Sequence, residues 1–253
     1  MFKKKPLLSI IIPAYNEEDN FNRGVLTNVD LYLKRQPYES EVIVVDDGST
    51  DNTVSCIKSW IETKKNWKLI ENPHKGKART VATGVLQAKG SNILFTDFDQ
   101  ATPIEELDRL FPFIKNGYAL AIGSREIKGS KREKEPSYRH LMGRIFNILV
   151  QIVAVPGIQD TQCGFKLFTA KAAHELFNSL QVYKNGKEKT AYTGAFDVEL
   201  LYLAQKRKLR VAEVPVSWRH VSTERVNPIR DSIRMLWDLL RIRLVDFLGK
   251  YER

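Results

Sequence analysis

At 253 residues, with 43% hydrophobic and 10% aromatic content, the chain is long and apolar enough for one α/β domain with or without an appendage, and is not a disordered or fibrous protein. A net charge of +10 favours a polyanionic partner, whether nucleic acid, anionic lipid or a phosphorylated substrate, without choosing among them. Two cysteines, Cys56 and Cys163, exclude a disulfide framework and a zinc site and fit a reducing compartment.

The N-terminal MFKKKPLLSIIIPAYNEE has three lysines before an apolar run that stops at Pro13 without a small-residue cleavage site, so it does not read as a signal peptide. Residues 7–15 read as a first buried strand, followed by a helix near 17–35. VIVVDD, 42–47, is a second strand, and its GST turn leads into a helix near 51–65. A third strand at 67–73, helical spacing over 76–89, a fourth strand at 92–99, a helix near 103–115 and a strand at 119–125 follow. Strands alternating with helices imply right-handed crossovers and a mostly parallel sheet flanked by helices.

After Gly123 the pattern changes. Residues 125–144 hold seven Lys/Arg against three acids and read as a basic loop leading into an apolar stretch, 145–156. The uncharged run between Arg144 and Asp160 falls short of the ~20 apolar residues of a membrane span. GFKLFT, 164–169, and VAEVPVSW, 211–218, read as strands of a mixed C-terminal part, with a helix inside 193–208. From Pro228, the residues Ile229, Ile233, Leu236, Trp237, Leu240, Leu244 and Phe247 share one helical face flanked by Arg230, Arg234, Arg241 and Arg243. The expected division is a catalytic unit over 1–225 and a C-terminal amphipathic helix over 226–253.

Two apolar runs end in paired acids. If 92–99 is one strand, alternation places Asp97 and Asp99 on one side, where both reach a Mg2+ or Mn2+ ion bridging two phosphates. The competing reading is a solvated turn that caps the next helix. Asp46 and Asp47 end the other run and suit hydrogen bonds to a base or ribose, again with a turn as the alternative. Arg125, Arg139, Arg219 and Arg225 offer bidentate phosphate binding, although any one of them equally suits a solvated surface. Lys77 suits either the base and phosphates or the surface. Asp197 suits a catalytic carboxylate, a helix cap or an ion pair. Acidic strand ends would repel nucleic-acid phosphates.

SIIIPAYNEE, VVDDGSTDNT, NPHKGKA, FTDFDQATP, GSR, DTQCGFKLF, FDVELLYLAQ and VPVSW run in this order through nearly the whole chain. Together they resemble the family 2 glycosyltransferases of GT-A fold, a Rossmann-like architecture. DTQCGFKLF and FDVELL resemble the branch that glycosylates polyprenyl phosphates. The resemblance implies that Pro13, Ala14, Tyr15, Glu17 and Lys77 line a nucleotide-sugar pocket with Phe98, that Asp46 and Asp47 contact base and ribose, and that Asp97 and Asp99 hold the metal. Arg125, Arg139, Arg219 and Arg225 would face donor or acceptor phosphates, with Asp97, Asp99, Arg125 and Asp197 as the catalytic set. Phe98 stands where related enzymes often carry a small residue, and Gln100 follows the second aspartate directly.

The implied activity is inverting transfer of a hexose, glucose from UDP-glucose, to a polyprenyl or dolichyl monophosphate. A phosphate monoester with a second pKa of about 6 is already nucleophilic, so a general base is optional. The stretch 145–156 and the tail helix would either lie in an anionic membrane interface, giving a cytoplasmic, peripherally attached enzyme, or pack on the core. The competing readings are transfer to a soluble or polysaccharide acceptor and a non-catalytic module that binds anionic membranes. The oligomeric state is not legible.

Overall fold

Every residue of β1 (Leu8–Ala14) is buried, as in a central parallel strand covered on both faces. The computed structural model describes residues 5–133, 137–183, 194–221 and 228–252. In it β1 pairs in parallel with β2 (Ser40–Asp46) on one side and β4 (Asn92–Thr96) on the other. β3 (Trp67–Glu71) adds in parallel beyond β2. Past β4 comes β7 (Phe165–Thr169), antiparallel to β4 and to β5 (Leu120–Ser124), and β8 (Val211–Pro215) ends the sheet in parallel with β5. The order is β3-β2-β1-β4-β7-β5-β8, a mostly parallel sheet with one reversed strand. β6 (Lys131–Glu133) and β9 (Ser217–Arg219) form a separate short ladder.

The pleat sorts side chains by alternation. Ile10, Ile12, Val42 and Val44 enter one core with Val25 and Val29 of α2 (Val25–Lys34) and Leu107 and Leu110 of α5 (Leu107–Lys115). Ile11, Ile43 and Val45 enter the other with Val81 and Val85 of α4 (Lys77–Gln87). That second core also takes in α6 (Ser137–Val153), α7 (Ala170–Ser179), α8 (Phe196–Lys206) and α9 (Pro228–Phe247).

Several boundaries differ from the sequence reading. The helix expected over 17–35 is two, α1 (Glu18–Asn22) and α2, because Gly24 adopts φ +78° between them. The next helix, α3, is Thr53–Ile61. The expected basic loop over 125–144 contains β6 and the start of α6. VAEVPVSW is two strands in different sheets, split at Val216.

α9 packs on α6 and α8, burying Leu239 and Ile242. Tyr183 Oη donates to Asp238 at 2.5 Å and Tyr202 Oη to Asp246 at 2.5 Å, and beyond the helix Tyr251 Oη donates to Glu199 at 2.8 Å. The apolar face read from the sequence therefore points outward. Ile233, Leu236, Trp237, Leu240, Leu244 and Phe247 are all exposed, Phe247 at 86%. α6 extends this surface with exposed Ile145, Ile148, Leu149 and Ile152. Among the described residues no helix is long and apolar enough to cross a membrane.

Candidate active site

The C-terminal ends of β1, β2 and β4 lie at one edge, and the order reverses between β1 and β4, where open α/β sheets bind ligands. The loops after β1 and β2 are stitched together. Asn16 N–H donates to Ser49 Oγ at 2.9 Å, Thr50 N–H to Asn16 Oδ1 at 2.8 Å and Glu17 N–H to Thr53 Oγ1 at 2.7 Å. Asp46 accepts from Gly48 N–H, Ser49 N–H and Ser49 Oγ at 2.8, 3.0 and 2.5 Å. Asp47 accepts from Lys75 N–H at 2.9 Å and Gly76 N–H at 3.0 Å, and its Oδ2 lies 2.8 Å from His74 Nδ1.

Both aspartates are buried, and the structure uses these carboxylates to hold the walls of the cleft. The loop contacts match the turn reading of these two acids and leave lone pairs on each carboxylate for a base or ribose. Pro13 and Ala14 are likewise buried within β1. Tyr15 is the aromatic at the mouth, its ring stacked on His74 with centroids 4.5 Å apart. Glu17 Oε2 accepts a hydrogen bond from Asn20.

β4 stops at Thr96, so Asp97, Phe98 and Asp99 form a turn and not a strand end. The turn still separates them. Phe98 is 2% exposed and enters the core beside Ile12 and Ile104, so its side chain does not line the cleft as expected. Gln100, at φ +49°, braces the turn by donating to Asp97 O at 2.8 Å and Thr96 Oγ1 at 3.1 Å. Asp99 Oδ1 accepts from Ala101 N–H at 3.0 Å. Burial, and after it the neighbouring Asp97, push the Asp99 carboxyl up to about 6. Asp97 Oδ1 is buried without a hydrogen-bond donor aligned on it and lies 2.5 Å from the Lys77 ammonium as an ion pair.

Two neighbouring carboxylates, one with its pKa raised, suit a hard divalent cation. Asp97 and Asp99 would hold it. Among the described residues no group of three or more acidic, histidine or cysteine side chains is placed to bind a metal, so substrate phosphate oxygens and water would complete the ion's coordination.

Behind this pair the sequence reading missed two groups. Gly164 O accepts from Asp97 N–H at 3.1 Å, and a Cβ on Gly164 would lie 2.0 Å from Asp97 Oδ2. Lys166, the second residue of β7, is fully buried with its Nζ 2.6 Å from Asp197 Oδ1. Burial raises the Asp197 carboxyl, opposed by Lys166 and then Lys77. Asp197 thus sits behind the cleft in an ion pair and is not an exposed base. The signal for Lys166 was in the sequence, a lysine between Phe165 and Leu167 in a five-residue apolar strand.

The arginines form a second cluster. Arg125 lies at the C-terminal end of β5 and grips Asp160 through Nε at 2.7 Å and Nη2 at 2.9 Å. Burial alone would raise Asp160, but Arg125 outweighs it and holds the carboxyl below its ordinary value. The Arg125 and Arg132 guanidinium carbons lie 5.4 and 5.8 Å from the Trp218 ring centroid. Arg219 is ion-paired with Glu133 at 3.0 Å, and its N–H donates to Ala101 O at 2.8 Å, which places this cluster beside the Asp97–Asp99 turn. The Arg139 side chain and Arg225 lie outside the described residues.

The family model described as "Glycosyl transferase family 2" matches residues 9–177, from β1 through α7. The chain belongs to that family. As a family 2 glycosyltransferase it is similar over 97% of its length to proteins named dolichyl-phosphate beta-glucosyltransferase from Drosophila melanogaster, at 38% identity, and Homo sapiens, at 36%, covering 77% of each. A relative of the same name from Dictyostelium discoideum is 34% identical over 97% of this chain and 76% of its own.

Among solved structures, the family 2 glycosyltransferase superposes on glucosyl-3-phosphoglycerate synthase from Mycobacterium tuberculosis, in complex with Mn2+, UDP and glucosyl-3-phosphoglycerate. The TM-score is 0.64 at 17% identity, over 94% of this chain and 80% of that one. A mannosyltransferase from Pyrobaculum calidifontis with GDP-mannose and Mn2+ gives 0.59 at 18%, over 94% and 65%. The sheet is therefore of GT-A type, and the enzyme is a glycosyltransferase.

Proposed function

We propose that this glycosyltransferase moves glucose from UDP-glucose to the phosphate of a polyprenyl lipid such as dolichyl phosphate, with inversion at the anomeric carbon and with Mg2+ or Mn2+ bound. The observation that carries it is the Asp97–Asp99 turn at the sheet's switch edge, flanked by Lys77 and by the Arg125–Trp218–Arg219 cluster. The names of the curated relatives support the choice of sugar and acceptor.

The acceptor phosphate is its own nucleophile, so the reaction does not require a proton to be taken by Asp197, which is buried and ion-paired. The difficulty is that two anions must meet. A bound divalent ion would offset that repulsion at the departing diphosphate, with Arg125 and Arg219, ion-paired with Asp160 and Glu133, placed beside it. The carboxylates of Asp46 and Asp47 orient the loops that would hold the nucleotide, with Tyr15 at the entrance.

The lipid end of the acceptor suits the outward apolar faces of α6 and α9, which would rest on the cytoplasmic face of an anionic membrane with Arg241 and Arg243 at the rim. Incubating the protein with labelled UDP-glucose, a short polyprenyl phosphate and Mn2+ tests the proposal. Label in the organic phase, lost on chelation, is expected. Label that enters only water-soluble products would overturn the lipid acceptor.

A further inference from the structure

The geometry points to Lys77 as a built-in counter-cation for Asp97, one that an incoming divalent ion must displace, with Asp197 as the carboxylate that receives it. The inference rests on the reading of Asp97 and Asp99 as the metal-holding pair.

Lys77 begins α4, and its backbone is fixed because the preceding Gly76 N–H is held by Asp47. Its side chain passes over Phe95, with Nζ 5.4 Å from the ring centroid, and ends 2.5 Å from Asp97 Oδ1. Burial works against its charge. Asp97, Asp197 and Asp99 in turn outweigh that and hold the ammonium above its ordinary value. Beyond Asp197 lies the second ammonium, Lys166, which is fully buried.

Two ammonium–carboxylate pairs therefore accompany Asp99, Lys77–Asp97 and Lys166–Asp197. A divalent ion on Asp97 repels an ammonium that shares the same oxygen. A four-carbon stem lets that ammonium move. Asp197 follows Phe196, whose ring lies 5.9 Å from the Phe95 ring under the Lys77 ammonium, and a carboxylate has about four lone-pair sites, more than Lys166 alone uses. The arrangement offsets the charge of Asp97 while no ion is present. It also penalises a bare ion, so the ion gains most when diphosphate oxygens arrive with it.

The experiment is Mn2+ titration followed by electron paramagnetic resonance of the free ion, with and without UDP. It compares wild type, Lys77→Met, Lys77→Arg, Asp197→Asn and the Lys77→Met/Asp197→Asn double variant, with folding checked by circular dichroism. Lys77→Met should bind Mn2+ about tenfold tighter than wild type without UDP, within the usual span of coupling between two sites, whereas Lys77→Arg should stay weak. Asp197→Asn should weaken Mn2+ binding in the wild-type background and have no effect in the Lys77→Met background.

Equal affinity in Lys77→Met and wild type, or weaker binding in Lys77→Met, would overturn displacement. An Asp197→Asn effect of the same size in both backgrounds would leave Asp197 as a distant charge and overturn its role as receiver. If Asp197→Asn does not fold, the comparison of Lys77→Met with Lys77→Arg still decides the displacement. Absence of Mn2+ binding in every form, even with UDP, would overturn the metal-site reading itself and the inference with it.

Discussion

Gly164 is packed directly against the carboxylate of Asp97, so closely that a Cβ there would lie 2.0 Å from Oδ2 and 2.4 Å from Cγ. Because β7 runs antiparallel to β4, its N-terminal end reaches the edge where β4 delivers Asp97, and Gly164 O caps Asp97 N–H at 3.1 Å. The residue just after β4 is thus an acid, and the residue just before β7 has the only side-chain size that leaves the acid room. Gly164→Ala must push the carboxylate aside. Misplacement by about 1 Å costs on the order of 100-fold in rate. Glucosyl transfer by this variant should fall by about that factor and UDP-dependent Mn2+ binding should weaken. Unchanged kinetics would mean that Asp97 does not need its position.

Asp99 carries a pH dependence whose sign follows from its environment. Its carboxyl is raised from 3.8 to about 6, first by burial and then by Asp97. Between those values the folded chain holds a proton that the unfolded chain has lost. The stabilising contribution is therefore full below about pH 4 and is lost as pH rises through about 6. Without metal, Asp99→Asn should become progressively more stable than wild type from near pH 5 to near pH 7 in thermal melts. Mn2+ with UDP should then raise the wild-type midpoint more near pH 7 than near pH 5, and move the variant little. A wild type that gains stability relative to Asp99→Asn on going from pH 5 to 7 without metal would contradict the assignment.

The alternation of apolar runs and helical spacing made the first five strands legible, because a parallel strand buried on both faces has nothing but apolar residues to show. The site was legible only in part. Phe98 enters the core between the part-exposed Asp97 and Asp99, but the cause is a turn braced by Gln100 and not strand alternation. Asp46 and Asp47 looked like ligands because they end an apolar run. The partners of Asp46, Gly48 and Ser49, follow it in the local GST turn, whereas those of Asp47, Lys75 and Gly76, belong to a loop whose approach no local pattern encodes. The mixed character of the C-terminal part was legible, but not that β7 is the reversed strand, nor the meeting of Gly164 and Asp97. Lys166 was visible as an anomaly in its strand, and its partner Asp197 lies 31 positions further on.

The Lys166–Asp197 pair should behave as a buried ion pair whose halves are each harmful alone. Lys166 is wholly buried and Asp197 nearly so, so Lys166→Met leaves a buried carboxylate next to Asp97 with one ammonium fewer. Breaking such a pair costs about 3–5 kcal/mol, whereas replacing both members with apolar groups of similar volume is often neutral. Urea unfolding should therefore show Lys166→Met strongly destabilised and Lys166→Met/Asp197→Leu substantially recovered. A double variant as unstable as the single would show that the pair's surroundings, and not its charge balance, set the cost.

The outward faces of α6 and α9 make the sharpest test of how the enzyme meets its acceptor. A helix that packed only on the core would expose polar residues where α9 exposes Trp237 at 64% and Phe247 at 86%. Because neither side chain is packed within the protein, Trp237→Glu and Phe247→Glu should change folding stability by no more than about 0.5 kcal/mol. Burying such a side chain in an apolar phase is worth about 1.5–3 kcal/mol, so each variant should bind anionic vesicles about tenfold or more weakly in flotation. Leu239→Glu, on the buried face of the same helix, should do the reverse and destabilise the fold. In the wild type, tryptophan emission should shift to the blue as vesicles are added, and the shift should shrink in Trp237→Phe. If Trp237→Glu and Phe247→Glu float as well as wild type, the apolar surface does not meet lipid.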